Sequence, residues 1–173
     1  MLAENSSLKK REAKNVDIVK LLLIRDKSSP YRIKSITKAK DAVSIARDFL
    51  AGEDREVLIV MNLDASKKIN SIHVLSIGSV DASMVHPREV FKTAILSNAS
   101  SIMFVHNHPS GNPDPSDADE NITCKIFGCG DLLGIKVLDH IIIGEDRYAH
   151  CYLSEKKDGK IEINWITDDY KNE

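Results

Sequence analysis

The sequence predicts an α/β (α+β) fold in which a mixed central β-sheet is flanked by helices. Apolar runs of strand length alternate along the chain with segments whose apolar residues recur at helical spacing. Such interleaving is typical of a sheet that buries its faces against helices. The chain has 173 residues, which is enough for one domain with its own core, and it contains no internal repeat or low-complexity block.

The elements can be placed in chain order from these patterns. Runs rich in Val, Ile and Leu predict strands at residues 16–25, 57–63, 69–78, 100–105, 136–144, 147–153 and 160–166, the second and third joined by a turn. Helical spacing predicts helices at 39–50, from Pro87 with Val90, Phe91, Ala94 and Ile95 on the apolar side, and from Ser116 to about Leu133. We expect a tail at 1–15, a strand and connector at 16–37, one domain at 38–166 and a second tail at 167–173.

The composition narrows the class of protein. Hydrophobic residues make up 42% of the chain and charged residues 29%, and the formal net charge is −2. This charge does not support DNA as a partner through electrostatics alone. The apolar run at residues 21–24 is too short for a signal peptide or a membrane span. Three cysteines without a CxxC pair fit reduced thiols, so we expect a cytoplasmic protein that does not contact a membrane.

The string HNHPSGNPDPSDAD at residues 106–119 is the strongest functional signal. His106 and His108 follow an apolar run that is typical of a buried strand, and residues two apart in an extended segment point the same way. Three prolines and a glycine make residues 109–115 a stiff loop. Ser116 then suits a helix N-cap, with Asp119 in the first turn. The loop therefore brings Asp119 back toward the two histidines.

Two imidazoles and one carboxylate form a ligand set that suits Zn²⁺ with an open position for water. Such a site indicates hydrolysis rather than a structural role. A Ser-x-x-Asp pair is also common simply as a helix cap, and Ser116 and Asp119 are expected to serve as one in either case. We predict that His106, His108 and Asp119 bind zinc.

The spacing His-x-His, seven residues, Ser, two residues, Asp resembles the JAMM motif of the JAB/MPN metalloprotease fold. The flanking stretches VHPREVFKTAILSNASSIMFVHNHPSGNPDPSDAD and LGIKVLDHIIIG resemble the RadC-like branch of that family. The similarity runs from about Lys38 to about Tyr152. It implies a single JAB/MPN-like domain and a zinc-dependent peptidase or isopeptidase, in which a metal-bound water attacks an amide bond of a peptide or protein substrate.

Hydrolysis also needs a group that moves protons, and Glu53, Glu56 and Glu89 are the candidates. Spacing alone does not choose among them. In JAMM proteins the upstream glutamate opens the first strand after an N-terminal helix, and this resemblance assigns the role to Glu56. Negative charge in the first turn of a helix explains Glu89 equally well. In the resulting hypothesis, Ser116 donates a hydrogen bond to the oxyanion of the tetrahedral intermediate.

A second hypothesis is a RadC-like module that acts in DNA repair or with mobile elements and has no protease activity. Full-length RadC-like proteins often add an N-terminal helix-hairpin-helix region, which residues 1–37 do not resemble, and this argues against direct DNA binding. A zinc nucleobase deaminase would need His-x-Glu and Pro-Cys-x-x-Cys signatures that the sequence lacks. Metal content and salt-dependent DNA binding would separate the first two hypotheses.

Other polar residues have simpler explanations. Asp139 and His140 lie in an apolar strand, where they either support the site or form a satisfied core pair. The remaining predictions are a cap role for His86, a structural or exposed position for His73, a surface position for His150, and a core or partner contact for Trp165.

Overall fold

The computed structural model describes residues 20–24, 35–50, 52–78, 85–157 and 160–170. The elements within these residues follow in the order α1 (Ala39–Leu50), β1 (Val57–Leu63), β2 (Ile69–Ile77), α2 (Pro87–Leu96), β3 (Ser101–Asn107), α3 (Asp117–Leu133), β4 (Lys136–Ile143), β5 (Arg147–Lys157) and β6 (Lys160–Asp169).

The six strands form one mixed sheet in the order β2-β1-β3-β4-β5-β6. Strands β3 and β4 are parallel, and the other neighbouring pairs are antiparallel. Parallel neighbours need a long crossover, and α3 supplies it. The predicted fold class is confirmed, and the crossover places the start of α3 beside the end of β3.

Helices cover both faces of the sheet. Apolar residues of α1 pack on one face, and those of α2 and α3 pack on the other. Both β1 and β3 are buried along their whole length because they lie at the centre of this arrangement. Alternation along β3 turns Met103 and Val105 toward α1 and turns Ile102 and Phe104 toward α2 and α3. The next residue of the second set is His106.

The three predicted helices and six of the predicted strands are confirmed, with differences at their ends. Strand β3 continues through Asn107, so His106 lies inside the strand and pairs with Leu58 and Ile142, rather than following the strand. Strand β6 continues past Ile166 because its partner β5 still offers hydrogen-bonding neighbours, so residues 167–169 are not a tail as predicted. Ile95, predicted on the apolar side of α2, is 55% exposed because it lies on the side of the helix away from the sheet.

The predicted strand at residues 16–25 is wrong for its described part. Residues 20–24 belong to no strand, and the side chains of Leu21, Leu22 and Ile24 are 71–84% exposed. A high content of β-formers does not make a strand where no neighbouring strand takes up its backbone hydrogen bonds. The rest of that segment and the predicted tail at 1–15 lie outside the described residues. No helix in the described ranges has both the length and the apolar character needed to cross a membrane.

Helix α3 lies close to the start of β4 at Gly130. A Cβ atom added there would lie 2.6 Å from the carbonyl oxygen of Ile135 and 2.7 Å from Cγ2 of Val137. At Gly128 the same atom would meet only the end of the Ile161 side chain, at 3.2 Å. The lack of a side chain at Gly130 therefore sets how tightly the crossover helix packs on the sheet.

We expect Gly130→Ala to destabilise the protein by about 2 kcal/mol, since backbone must move to admit the methyl group. Gly128→Ala is the matched control and is expected to be neutral or to stabilise by up to about 1 kcal/mol, because alanine favours the helix. Urea unfolding followed by circular dichroism measures both. Equal stability of the two variants would contradict the close approach at Gly130.

Candidate metal centre

Strand β3 brings two imidazole rings to one point. His106 is fully buried near the end of the strand, and His108 follows directly after it with 14% of its side chain exposed. Their Nε2 atoms lie 3.0 Å apart. The prediction that alternation in an extended segment points both rings the same way is confirmed.

The loop at residues 109–115 is held against the turn between β4 and β5. The His108 amide donates to the carbonyl of Ile143, and the Glu145 amide donates to the carbonyl of Gly111, both at 2.9 Å. A Cβ atom on Gly144 would overlap the carbonyl oxygen of Gly111 and lie 2.8 Å from Cδ of Pro113. Glycine at position 144 thus lets the loop lie close to the sheet and return the chain to the histidines.

A reciprocal cap opens α3 and fixes the carboxylate of Asp119. Oδ2 of Asp119 accepts hydrogen bonds from the amide and the hydroxyl of Ser116, at 2.8 and 2.6 Å, and the Asp119 amide donates to Oγ of Ser116. The predicted capping box is confirmed. Its geometry leaves Oδ1 of Asp119 3.3 Å from Nε2 of His106, and Oδ2 3.5 Å from Nε2 of His108.

The nitrogen and oxygen atoms of these three side chains lie close enough together to share one metal ion. With bonds of about 2.0–2.1 Å to zinc, two tetrahedral ligand atoms lie about 3.3 Å apart. Here the two Nε2 atoms lie 3.0 Å apart, and Asp119 places Oδ1 3.3 Å from His106 and Oδ2 3.5 Å from His108. With one donor atom taken from each residue, the three atoms lie within 4.8 Å of one another. His106, His108 and Asp119 could therefore hold a metal ion, and they are the one group of three or more such side chains with this geometry among the described residues.

The electrostatics of the cluster suit a cation. Burial lowers the pKa of His106 to about 4, so its ring is neutral at pH 7, the form that binds metals. Burial opposes the charged forms of His108 and Asp119 as well and is the largest single influence on each pKa, but their hydrogen bonds and the neighbouring charges together outweigh it. The pKa of His108 is raised, and the pKa of Asp119 is held well below its usual range. A buried carboxylate beside imidazoles leaves negative charge where a divalent ion would bind.

An open pocket of about 260 Å³ lies beside the three donors. Its lining residues are Glu56, His108, Pro109, Ser110, Ser116 and Asp119. The structure thus brings Glu56 and Ser116, both predicted from the sequence, to the candidate ligands. Glu53 and Glu89 are not among the lining residues; Glu53 is exposed, and Glu89 forms an ion pair with Lys92 in the first turn of α2.

Comparison with known proteins identifies the family. Residues 36–158 match the RadC-like JAB domain family. The chain belongs to this family. A UPF0758 protein of Clostridium perfringens is 41% identical over 140 residues, which cover 80% of this chain and 62% of that protein. UPF0758 proteins of Caldanaerobacter subterraneus and Methanosarcina mazei are 47% and 45% identical over 113 and 116 residues, or 65% and 67% of this chain.

The chain spans about half to three-fifths of the length of these curated relatives, with 62%, 48% and 51% covered. The predicted resemblance to RadC-like proteins is confirmed, and the matched region includes every residue of the candidate metal centre. The names of these relatives state no activity.

Asn107 is a site residue that the sequence reading missed. Its Oδ1 accepts from the amide of Val57 at 2.8 Å, and its Nδ2 donates to the carbonyl of Arg55 at 3.0 Å. These two bonds hold the backbone on either side of Glu56. The sequence does contain a signal for this role. Asn107 places a polar amide at the end of a buried strand, where an apolar residue is expected unless the amide has hydrogen-bond partners.

Asp139 and His140 face opposite sides of the sheet. His140 is buried, stacks on Phe104 with ring centroids 4.0 Å apart, and contacts His106 through a ring nitrogen. Asp139 accepts from the amide of Cys151 at 2.9 Å and takes no part in the metal cluster. The two residues therefore do not form a core pair with each other: His140 contacts a candidate ligand, and Asp139 contacts Cys151 and His150.

The remaining predictions are decided by exposure and contacts. His86 caps α2 by accepting from the Arg88 amide, and His73 is exposed, both as predicted. Trp165 packs against the core on the α3 face, which is one of its two predicted environments. The surface position predicted for His150 is wrong, since its side chain is only 19% exposed between Asp139 and Asp168, at 3.3 and 3.5 Å.

We expect His150 to stabilise the fold more strongly at low pH. Its hydrogen bond to Asp139 raises the pKa of His150 above the unfolded value of about 6.5. The stabilisation is therefore fully present below about pH 6.5 and is lost as the pH rises through the folded pKa. Urea unfolding of wild type and His150→Gln between pH 5.5 and 8.5 measures this effect. We expect the wild type to be more stable than the variant by roughly 1 kcal/mol at pH 5.5, and this difference in the free energy of unfolding should shrink as the pH rises.

The other histidines contribute equally to both proteins, so their effects cancel when the two free energies of unfolding are subtracted. This matters because His106 and His140 have lowered pKa values, and their contribution to stability changes with pH in the opposite direction. A gap that stays constant across this pH range would contradict the ion pairs of His150.

Proposed function

We propose that the protein is a zinc-dependent hydrolase of amide bonds, of the peptidase or isopeptidase type. The observation that carries the proposal is the convergence of His106, His108 and Asp119, whose three donor atoms lie within 4.8 Å of one another beside a pocket that Glu56 also lines. Three protein ligands of this kind, with one position left open, are typical of catalytic zinc rather than structural zinc.

The zinc ion, when bound, would lower the pKa of water toward about 7 and polarise the carbonyl group of the substrate. His106, His108 and Asp119 would hold it. Asp119 is already oriented by Ser116, and the far nitrogen of His108, Nδ1, lies 2.8 Å from the carbonyl oxygen of Asn112. Since a carbonyl only accepts, that nitrogen carries a hydrogen, and Nε2 is the nitrogen that would bind the metal in place of its own hydrogen.

Glu56 is proposed as the residue that transfers protons. It lies just before β1, half-buried, and shares the pocket with His108 and Asp119. In this role its carboxylate takes a proton from the attacking water and later gives it to the leaving amine, as hydrolysis of an amide requires. The two hydrogen bonds from Asn107 to the flanking backbone keep the carboxylate in place during both transfers.

Ser116 has two tasks in the proposal. In the structure its hydroxyl donates to Oδ2 of Asp119 at 2.6 Å, which orients that carboxylate. Donation to the oxyanion of the tetrahedral intermediate, the role predicted from the sequence, requires the hydroxyl to rotate toward the pocket that Ser116 lines. The geometry of this pocket does not test DNA binding, so DNA as a partner stays a prediction.

We expect Glu56→Gln to keep one zinc per chain and to lose hydrolysis by at least 100-fold, because an amide cannot take up the proton. Asp119→Asn is expected to lose zinc as well as activity. Zinc is measured by mass spectrometry of the metal in dialysed protein, and activity by the new termini that the zinc-loaded protein generates in a peptide library.

Glu53→Gln is the matched control, because Glu53 is exposed and outside the pocket lining. Cleavage by Glu56→Gln at the wild-type rate would show that another group transfers the proton. Absence of zinc from the wild type after loading would overturn the whole proposal. The Glu56→Gln protein can also be used to trap and identify a substrate.

Asn107→Ala is expected to lower turnover at least tenfold while zinc content stays the same, because the backbone around Glu56 loses both of its side-chain hydrogen bonds. It should also cost about 1–3 kcal/mol of stability, since the buried Val57 amide is left without a partner. Asn62→Ala is the matched control. Asn62 is also buried, at the other end of β1, where it donates to Ser71 and Thr93. A similar loss of turnover in both variants would mean that stability, and not the position of Glu56, is responsible.

A further inference from the structure

A chain of buried hydrogen bonds runs from His106 away from the candidate metal centre. Nδ1 of His106 lies 2.9 Å from Nε2 of His140, and Nδ1 of His140 lies 2.6 Å from Oγ1 of Thr123. The Thr123 hydroxyl in turn donates to the backbone carbonyl of Asp119, one helical turn earlier in α3. The three residues are at most 1% exposed.

The donor and the acceptor of each hydrogen bond can be worked out by starting from the last group of the chain, the backbone carbonyl of Asp119. The carbonyl of Asp119 only accepts, so it uses the single hydrogen of the Thr123 hydroxyl. Oγ1 of Thr123 must then accept from Nδ1–H of His140. A buried imidazole is held neutral and carries one hydrogen, so Nε2 of His140 accepts in turn, and the hydrogen comes from Nδ1 of His106.

The same logic determines the other side of His106. With its one hydrogen on Nδ1, the neutral ring presents a bare lone pair at Nε2. This is the atom that lies 3.0 Å from Nε2 of His108 and 3.3 Å from Oδ1 of Asp119. In the opposite tautomer a hydrogen on Nε2 would point into the cluster and block a metal ion.

We propose that Thr123 and His140 are positioning residues that hold His106 in the tautomer able to bind the metal. The inference rests on the proposed function, because the tautomer matters only if His106 binds a metal. The hydrogen bonds that set the tautomer do not themselves require a metal. Stacking on Phe104 and an edge contact with Trp165, with ring centroids 4.0 and 5.3 Å away, keep the His140 ring from turning. Helix α3 thus supplies one ligand, Asp119, and one turn later the residue that orients a second ligand.

The test compares Thr123→Val with Thr123→Ser. Valine keeps the shape of the side chain and removes the hydroxyl, whereas serine keeps the hydroxyl. Two quantities are measured: the tautomer of His106 in metal-free protein, from its ring ¹⁵N chemical shifts, and the zinc dissociation constant, by competition with a chelator. Urea unfolding of both variants confirms that they are folded.

We expect wild type and Thr123→Ser to hold the hydrogen on Nδ1 of His106 and to bind zinc equally. Thr123→Val should shift the tautomer toward Nε2–H and weaken zinc binding by about 10- to 100-fold, the usual effect of losing a group that orients a metal ligand. His140→Phe, which keeps a ring against Phe104 but removes the acceptor, should give a similar loss and serves if Thr123→Val does not fold.

An unchanged His106 tautomer in Thr123→Val, with zinc affinity within twofold of Thr123→Ser, would overturn the inference. The two proposals fail differently, because the tautomer is read without metal. A wild-type protein with the expected tautomer and no affinity for zinc would refute the proposed function while supporting the hydrogen-bond chain.

Discussion

The reciprocal hydrogen bonds between Ser116 and Asp119 are the interaction on which the site depends. They satisfy free donors at the first turn of α3, and so they decide where the crossover helix begins. The same bonds use Oδ2 of Asp119 and leave Oδ1 directed at His106. Because one carboxylate both starts the helix and faces the imidazoles, the geometry of the cluster is tied to the fold of the crossover.

The parallel pairing of β3 and β4 gives this cap its importance. Between two parallel strands, the connecting helix has to run in the opposite direction to both of them. Helix α3 therefore begins close to the end of β3. The stiff loop at 109–115 covers that short distance and is held by the β4–β5 turn. Strand, loop and helix each contribute one part of the cluster, so none of them forms the site alone.

Much of this protein could be predicted from its pattern of residues. Helix α1, the hairpin of β1 and β2, and the N-cap of α3 follow from local rules of periodicity and capping, and the structure has them. The histidine spacing predicted two rings on one side of an extended segment, and the rings meet there. The prediction failed for residues 20–24, which pair with none of the six strands in the described part of the chain. It also failed for His150, whose neighbours come from β4 and β6 and are distant in sequence.

What the sequence determined by itself is therefore local: which segments are helices or strands, where α3 is capped, and which three side chains could bind a metal. Only the tertiary structure decided what surrounds those side chains. Asn107 reaches the backbone beside Glu56 from 50 residues away along the chain, and His140 reaches His106 from 34 residues away. Such contacts depend on strand register and on which face each residue occupies. Periodicity can assign a face, but the register between distant strands is set by the packing of the whole sheet.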